Sequence, residues 1–118
     1  MKTNVIVAVA SSAVGLLVGT QLPRDVVTEP VSITTFKISV PFDQWAEAFD
    51  SKETGKMHKI NNIKPLFRGV SIENRDQVVV IHQSQPGVVK KLLSDNAEMI
   101  ESLGHIMRTT KTSNWSFE

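Results

Sequence analysis

Residues 34–49 read TTFKISVPFDQWAEAF, and their apolar periodicity changes at Pro41. Before the proline, apolar residues alternate with polar ones, which is typical of a β-strand with one apolar face. After the proline, which suits the first position of a helix, the apolar residues take helical spacing: Phe42, Trp45, Ala46 and Phe49. Asp50 and Glu53 have the spacing of a capping box, which predicts a second short helix. We therefore expect a strand that leads directly into a helical region, with Trp45 in the core.

The rest of the chain predicts three more strands and another helix. Residues 63–72 predict a second strand, and residues 78–81 form a β-branched run typical of a strand buried on both faces. The longest helix is predicted over residues 86–103, with a break near Asn96 because Ser, Asp and Asn are poor helix-interior residues. Residues 109–117 predict the last strand. The order β-α-β-β-α-β is that of a ferredoxin-like α+β domain with an antiparallel sheet.

One layer of helices covers only one face of such a sheet. The strand at residues 78–81 offers apolar side chains to both faces, and Phe67, Trp115 and Phe117 also need cover. A second sheet is the simplest cover for the remaining face. The sequence therefore predicts a homodimer that pairs through its sheets.

Composition excludes several classes of function. The 118 residues suffice for one small domain, and 13 Lys+Arg against 12 Asp+Glu leave a net charge of +1. This balance argues against a nucleic-acid-binding surface. The absence of Cys excludes a disulfide framework, a thiolate nucleophile and an iron–sulfur site. Because no H-E-x-x-H, P-loop or G-x-S-x-G pattern occurs, the sequence assigns no metal site, cofactor or enzyme class.

The N-terminal region differs from the rest because no charged residue occurs from Thr3 to Pro23. We interpret residues 1–22 as a membrane signal-anchor that forms an apolar helix, followed by a linker at 23–30 and the folded domain at 31–118. A cleaved signal peptide is the alternative, and it would leave the domain exported. A further alternative is a strand at the start of the chain that pairs with the domain.

Within this segment, the apolar core begins at Val5 and includes a G-x-x-x-G pattern at Gly15 and Gly19. On a membrane helix, small residues four apart allow two backbones to approach closely. Gly and Ser are also common in signal peptides, so the pattern alone does not establish helix pairing.

Three stretches resemble the dimeric α+β barrel superfamily: residues 40–45, residues 78–82, and residues 92–96 running on to His105. The resemblance covers residues 33–117 and implies a ferredoxin-like fold with paired sheets. Known members include haem- and quinone-processing monooxygenases, lactone isomerases and binding proteins, so the fold does not choose an activity. More narrowly, three segments are similar to a small, mostly cyanobacterial family of unknown function: residues 56–59, 63–70 and 80–83.

Two histidines are candidates for a pocket. His82 shares strand parity with Val78 and Val80, so it lies on one defined face. On a face that lines a cavity it could act as an acid, a base or a ligand; otherwise we expect a hydrogen-bonded histidine at a strand end. His58 lies between the first helix and the second strand. It could roof the same pocket, although its lysine neighbours are more typical of a solvated loop.

Arg68 and His105 complete the candidates. Arg68 shares strand parity with Leu66 and Val70, and a cation on an apolar side needs a partner. That partner could be an anionic ligand, but we expect a carboxylate of the same chain. His105 follows Gly104 at a predicted helix end, where a cation would interact favourably with the helix dipole.

Two classes of function remain open, and a third hypothesis is a stress or regulatory dimer whose barrel is filled with side chains and binds nothing. The first class is a membrane-associated, dimeric binding or interaction domain. The second is a small-molecule enzyme, a monooxygenase or isomerase, with a pocket lined by His82, Arg68 and His58. The sequence identifies no ligand for either class.

Overall fold

A computed structural model of the protein describes residues 29–118. Within them the elements are β1 (Val31–Ile38), α1 (Phe42–Phe49), α2 (Lys52–Ile60), β2 (Lys64–Val70), β3 (Gln77–Gln83), α3 (Val88–Asp95), α4 (Ala97–Ser102) and β4 (His105–Trp115). The predicted anchor, including Val5, Gly15 and Gly19, lies outside the described residues and stays a prediction. None of the helices within residues 29–118 is long and apolar enough to cross a membrane.

The four described strands form one antiparallel sheet in the order β2-β3-β1-β4. The predicted ferredoxin-like α+β fold is therefore confirmed. In the central pair, Ser32 lies opposite His82, and Phe36 lies opposite Val78. Because side chains alternate along a strand, this register places all four of these residues on one face of the sheet.

The helices pack on that face, which we call the covered face. Alternate residues of β1 and β3 are buried there, and Val78 is fully inaccessible. The Trp45 ring lies 5.5 Å from the Phe36 ring and 5.0 Å from the Phe49 ring, measured between centroids. The prediction that Trp45 belongs to the core is confirmed, since only 5% of it is exposed.

The helical predictions hold with small shifts. Helix α2 begins after Ser51, whose hydroxyl accepts a hydrogen bond from the Thr54 N–H, so Ser51 and not Asp50 is the cap. The predicted break at Asn96 separates α3 from α4, and the Asn96 side chain donates to the Leu92 carbonyl at 2.9 Å. The last strand begins at His105, earlier than predicted, because His105 pairs with the end of β1.

The other face of the sheet carries no described helix, and we call it the open face. Val79 and Ile81 of β3 point to it and are only half-buried, so the apolar side chains expected on the second face lack full cover within the described residues. Phe67, opposite Ile81, is 43% exposed, and Trp115, opposite Val31, is 56% exposed. Apolar side chains thus remain accessible on this face.

Candidate functional site: a cavity with unpartnered polar atoms

A cavity of about 90 Å³ lies between the covered face and the helices, and we call it the inner cavity. No charged side chain is among the described residues that line it. Most of the lining is apolar or aromatic, and each of the four helices contributes to it: Trp45 and Phe49 from α1, Met57 from α2, Val89 and Leu92 from α3, and Met99 and Ile100 from α4. Polar groups reach it from the sheet and from α2.

His82 reaches the inner cavity from β3. The side chain is 7% exposed, and neither ring nitrogen has a hydrogen-bond partner within residues 29–118. Burial, reinforced by the nearby His58, lowers the pKa of His82 to about 3. The expectation of a hydrogen-bonded histidine at the strand end is therefore wrong. At neutral pH the ring is uncharged, with one nitrogen able to donate and the other able to accept.

Thr34 adds a second unpartnered group on the same face. It lies opposite Val80 in the β1–β3 register, is 2% exposed, and its hydroxyl oxygen has no partner among the described residues. A buried polar group left unpaired costs about 1–3 kcal/mol. Thr34 is in step with Phe36 and Ile38 in the alternating pattern, so a polar residue at an apolar position was the available signal in the sequence.

His58 joins His82 although the two histidines belong to different elements. The last turn of α2 carries His58, which is 7% exposed, and its ring centroid lies 5.0 Å from that of His82. Burial lowers the pKa of His58. The expectation of a solvated loop residue is wrong because the Ser51 cap starts a helix whose inner face carries His58.

Arg68 lies outside the lining of the inner cavity. Its guanidinium donates to both carboxylate oxygens of Asp50, with Nε–Oδ1 at 3.1 Å and Nη2–Oδ2 at 2.6 Å. The guanidinium also lies 5.6 Å from the centroid of the Phe42 ring. The expected internal ion pair is confirmed, and the structure does not bring Arg68 together with His58 and His82.

His105 lines the inner cavity but is satisfied. Its Nε2 hydrogen-bonds with the Thr110 hydroxyl at 2.7 Å, and its ring stacks on Phe36 with centroids 3.7 Å apart. Burial lowers the pKa of His105 to about 4, against an opposing effect of Glu101. The ring is therefore neutral at pH 7, so the expectation of a cation that interacts with a helix dipole is wrong.

The polar groups of the cavity are hydrogen-bond donors and acceptors. Within residues 29–118, no group of three or more His, Cys, Asp or Glu is placed to hold a metal ion. A histidine with a pKa of about 3 is also a weak base at neutral pH. The cavity can surround an uncharged group and offer it donors and acceptors from His82 and Thr34.

Fold and cavity together define a small ferredoxin-like α+β domain with an apolar internal cavity and one open sheet face. More specifically, the chain belongs to the family described as "Domain of unknown function (DUF3764)", which matches residues 28–117. A search of curated proteins finds no match.

The chain is similar to two solved structures. A NIPSNAP family protein from Agrobacterium tumefaciens is 8% identical, with a TM-score of 0.49 over 73% of this chain and 90% of that chain. A monooxygenase from the gene ActVA-Orf6 of Streptomyces coelicolor, in complex with the ligand Nanaomycin D, is 14% identical. Its TM-score is 0.48 over 77% of this chain and 88% of that chain. Similarity this remote says nothing about activity.

Proposed function

We propose that the domain binds a small, largely apolar molecule in the inner cavity, and that His82 and Thr34 form hydrogen bonds with an uncharged polar group on it. The observation that supports the proposal is the set of three unpartnered atoms, Nδ1 and Nε2 of His82 and Oγ1 of Thr34, buried beside an apolar cavity. Buried polar groups in folded proteins are nearly always paired. A bound ligand would supply the missing partners.

The cavity limits the size of the buried part of the ligand. About 90 Å³ is smaller than the roughly 150 Å³ of an engineered cavity that binds benzene. Met57 and Met99 form part of the wall, and methionine side chains adapt easily to a ligand. Met99 is 41% exposed and Leu103 is 40% exposed, so this part of the wall borders solvent and not other core residues. We infer that the buried part is no larger than one small ring.

A binding role fits the site better than the alternative, a monooxygenase or isomerase. General acid–base catalysis works best when the pKa of the catalytic group lies near the operating pH. The pKa of His82 is about 3, far below neutrality. Arg68, the candidate for an anionic substrate, is engaged by Asp50 instead. These observations favour a domain that holds a molecule over one that transforms it.

The test uses the full chain in mild detergent and two probes of similar shape, phenol and toluene. Phenol should shift the His82 ring nitrogen resonances in an NMR titration and bind about tenfold more tightly than toluene, because only phenol has a hydroxyl. His82→Phe should reduce the difference to the part that the Thr34 hydroxyl supports, and Lys90→Gln on the exposed side of α3 is the control. Equal affinities for the two probes, or a preference that His82→Phe leaves unreduced, would contradict the proposal.

We also propose that two copies pair through their open faces. Val31, Ile33, Val79 and Ile81 form an apolar strip on the two central strands, and Phe67 extends it along β2. Exposed apolar patches of this kind often mark interaction sites. Ile33→Lys should convert the dimer to a monomer in analytical ultracentrifugation, because it buries a charge in the interface. Lys90→Gln should not, and an unchanged mass for Ile33→Lys would rule out this interface.

We propose, finally, that residues 1–22 hold the domain at a membrane. The support is the absence of charge from Thr3 to Pro23, a length sufficient to span the hydrocarbon core. Fractionation of cells that express the full chain should recover it with the membranes after a high-salt wash. Recovery at full mass in the soluble fraction would contradict both the anchor and the cleaved signal.

A further inference from the structure

A second and larger space lies at the end of the sheet where β2 begins and β3 ends. Its volume is about 520 Å³, and we call it the outer cleft. The side chains around it are mainly polar, and they include Lys59, Asn62, Lys64, Gln83 and Gln85. The outer cleft therefore differs in chemistry from the inner cavity, whose described lining has no charge.

His58 lines both spaces. Its backbone is fixed, because its carbonyl accepts a hydrogen bond from the Ile63 N–H at 2.8 Å at the end of α2. Its ring, in contrast, makes no hydrogen bond within residues 29–118 and contacts only the rings of Phe49 and His82 among its aromatic neighbours. His58 is thus the residue that the two spaces share, on a helix end whose backbone is fixed.

The charges of the outer cleft favour an anion. Lys59, Lys64 and Glu29 are the charged residues among the described lining, which leaves one excess positive charge. The amide side chains of Asn62, Gln83 and Gln85 add hydrogen-bond donors. At the end of α2 the carbonyls of Met57 and Lys59 are already paired, because they accept the N–H groups of Asn61 and Asn62. A carboxylate satisfies both the charge and the donors.

We propose that the inner cavity and the outer cleft are two halves of one site, divided by the His58 ring, for a small amphipathic carboxylate. The inference rests on the proposed function and names its ligand class. The apolar end lies in the inner cavity, where its hydroxyl meets His82 and Thr34. The carboxylate lies in the outer cleft beside Lys59 and Lys64, and the molecule passes His58 on entry.

The experiment compares three probes that share a 4-hydroxyphenyl ring and a two-carbon arm. The probes are 4-hydroxyphenylacetate, tyrosol and tyramine, which end in a carboxylate, an alcohol and an ammonium group. Calorimetry on the full chain in mild detergent should show the carboxylate binding about tenfold more tightly than the alcohol, with the amine weakest. The preference should shrink as salt increases, because the lysines are exposed.

Variants assign the preference to the outer cleft. Lys59→Gln combined with Lys64→Gln should remove the preference for the carboxylate and leave the affinity for tyrosol within about twofold. Lys90→Gln, on α3 and away from both spaces, is the matched control. A preference that survives the double variant, or equal affinities for the three probes in the unaltered chain, would overturn the bipartite site.

Association rates test the role of the His58 ring. His58→Trp should slow the binding of 4-hydroxyphenylacetate in stopped flow at least several-fold, and His58→Gln should speed it, because the first enlarges the barrier and the second removes the ring. Equal rates in all three chains would overturn the passage past His58.

Phenol separates this inference from the proposed function. If phenol binds in a His82-dependent way while the three probes bind equally, the inner cavity holds its ligand and the bipartite site is wrong. If neither phenol nor any of the three probes binds, the proposed function itself fails, and the inference fails with it.

Discussion

His82 of β3 and His105 of β4 flank opposite ends of β1 on the covered face, and their surroundings differ. Both are buried, both line the inner cavity, and burial lowers the pKa of each well below neutrality. His105 has a hydrogen-bond partner in Thr110 and a stacking partner in Phe36. Neither ring nitrogen of His82 has a hydrogen-bond partner within the described residues. The two histidines are thus similarly buried, but only the ring nitrogens of His82 are left for a ligand to bind.

The largest effect expected on both histidines comes from acid. The unfolded chain protonates them below their ordinary pKa of 6.5, whereas the folded chain resists until about 4 for His105 and about 3 for His82. The stability that depends on these neutral rings is fully present above pH 6.5 and falls with pH, by about 3 kcal/mol for each histidine at pH 4 and by more for His82 as pH approaches 3. Urea denaturation between pH 7 and pH 4 measures it. His82→Phe should make the free energy of unfolding less dependent on pH over this range. An unchanged pH dependence would contradict the lowered pKa of His82.

His105→Ala should sharpen the contrast in stability. The substitution removes the stacked ring and the bond to Thr110, and it leaves a cavity beside Phe36, so we expect a loss of about 2–4 kcal/mol. The midpoint of urea denaturation at pH 7 reports the loss. Thr110→Val is the matched control, because it removes the hydrogen bond alone and should cost about 1 kcal/mol. Equal losses in the two variants would mean that the stacking contributes nothing.

His82→Phe should behave in the opposite way. The phenyl ring replaces unpartnered nitrogens with apolar atoms of similar shape, so the free energy of unfolding should be unchanged or rise by about 1 kcal/mol. The same denaturation experiment at pH 7, without ligand, measures the change. A loss comparable to that of His105→Ala would show that His82 is structural, which would remove the main support for the proposed binding role.

Thr34→Val is expected to have the smallest effect on stability among these substitutions on the covered face. Valine retains the volume at the centre of the sheet and removes the unpartnered hydroxyl, so stability should rise by about 0.5–1 kcal/mol. Phenol should bind several-fold more weakly to this variant, because one of its hydrogen bonds is lost. The outcome that contradicts the proposal is weaker folding together with unchanged phenol affinity.

Local patterns account for the parts of the fold that were predicted correctly. The break at Asn96 and the core position of Trp45 follow from residue preferences and from helical spacing over one or two turns. The sequence predicted that Arg68 pairs with a carboxylate of the same chain, since a cation on an apolar side needs a partner. It did not predict that this carboxylate is Asp50, because the contact joins β2 to the end of α1.

The histidines show what local patterns leave open. His58 looked like a loop residue because its lysine neighbours are hydrophilic, yet the Ser51 cap places it on the inner face of a helix. His105 looked like a cation at a helix end, but the strand pairing with Ile38 buries it. In both cases burial, which depends on distant residues, decided the charge of the ring.

The sequence by itself determined the order of strands and helices, the ferredoxin-like class and the parity of the two central strands, because periodicity is a property of neighbouring residues. Only the tertiary structure decided that His58 and His82 meet, that Thr34 and His82 lack partners within the described residues, and that an apolar cavity joins them to α3 and α4. These features depend on antiparallel register and on helix packing across the sheet. Such contacts join residues far apart in the chain, and no local pattern specifies them.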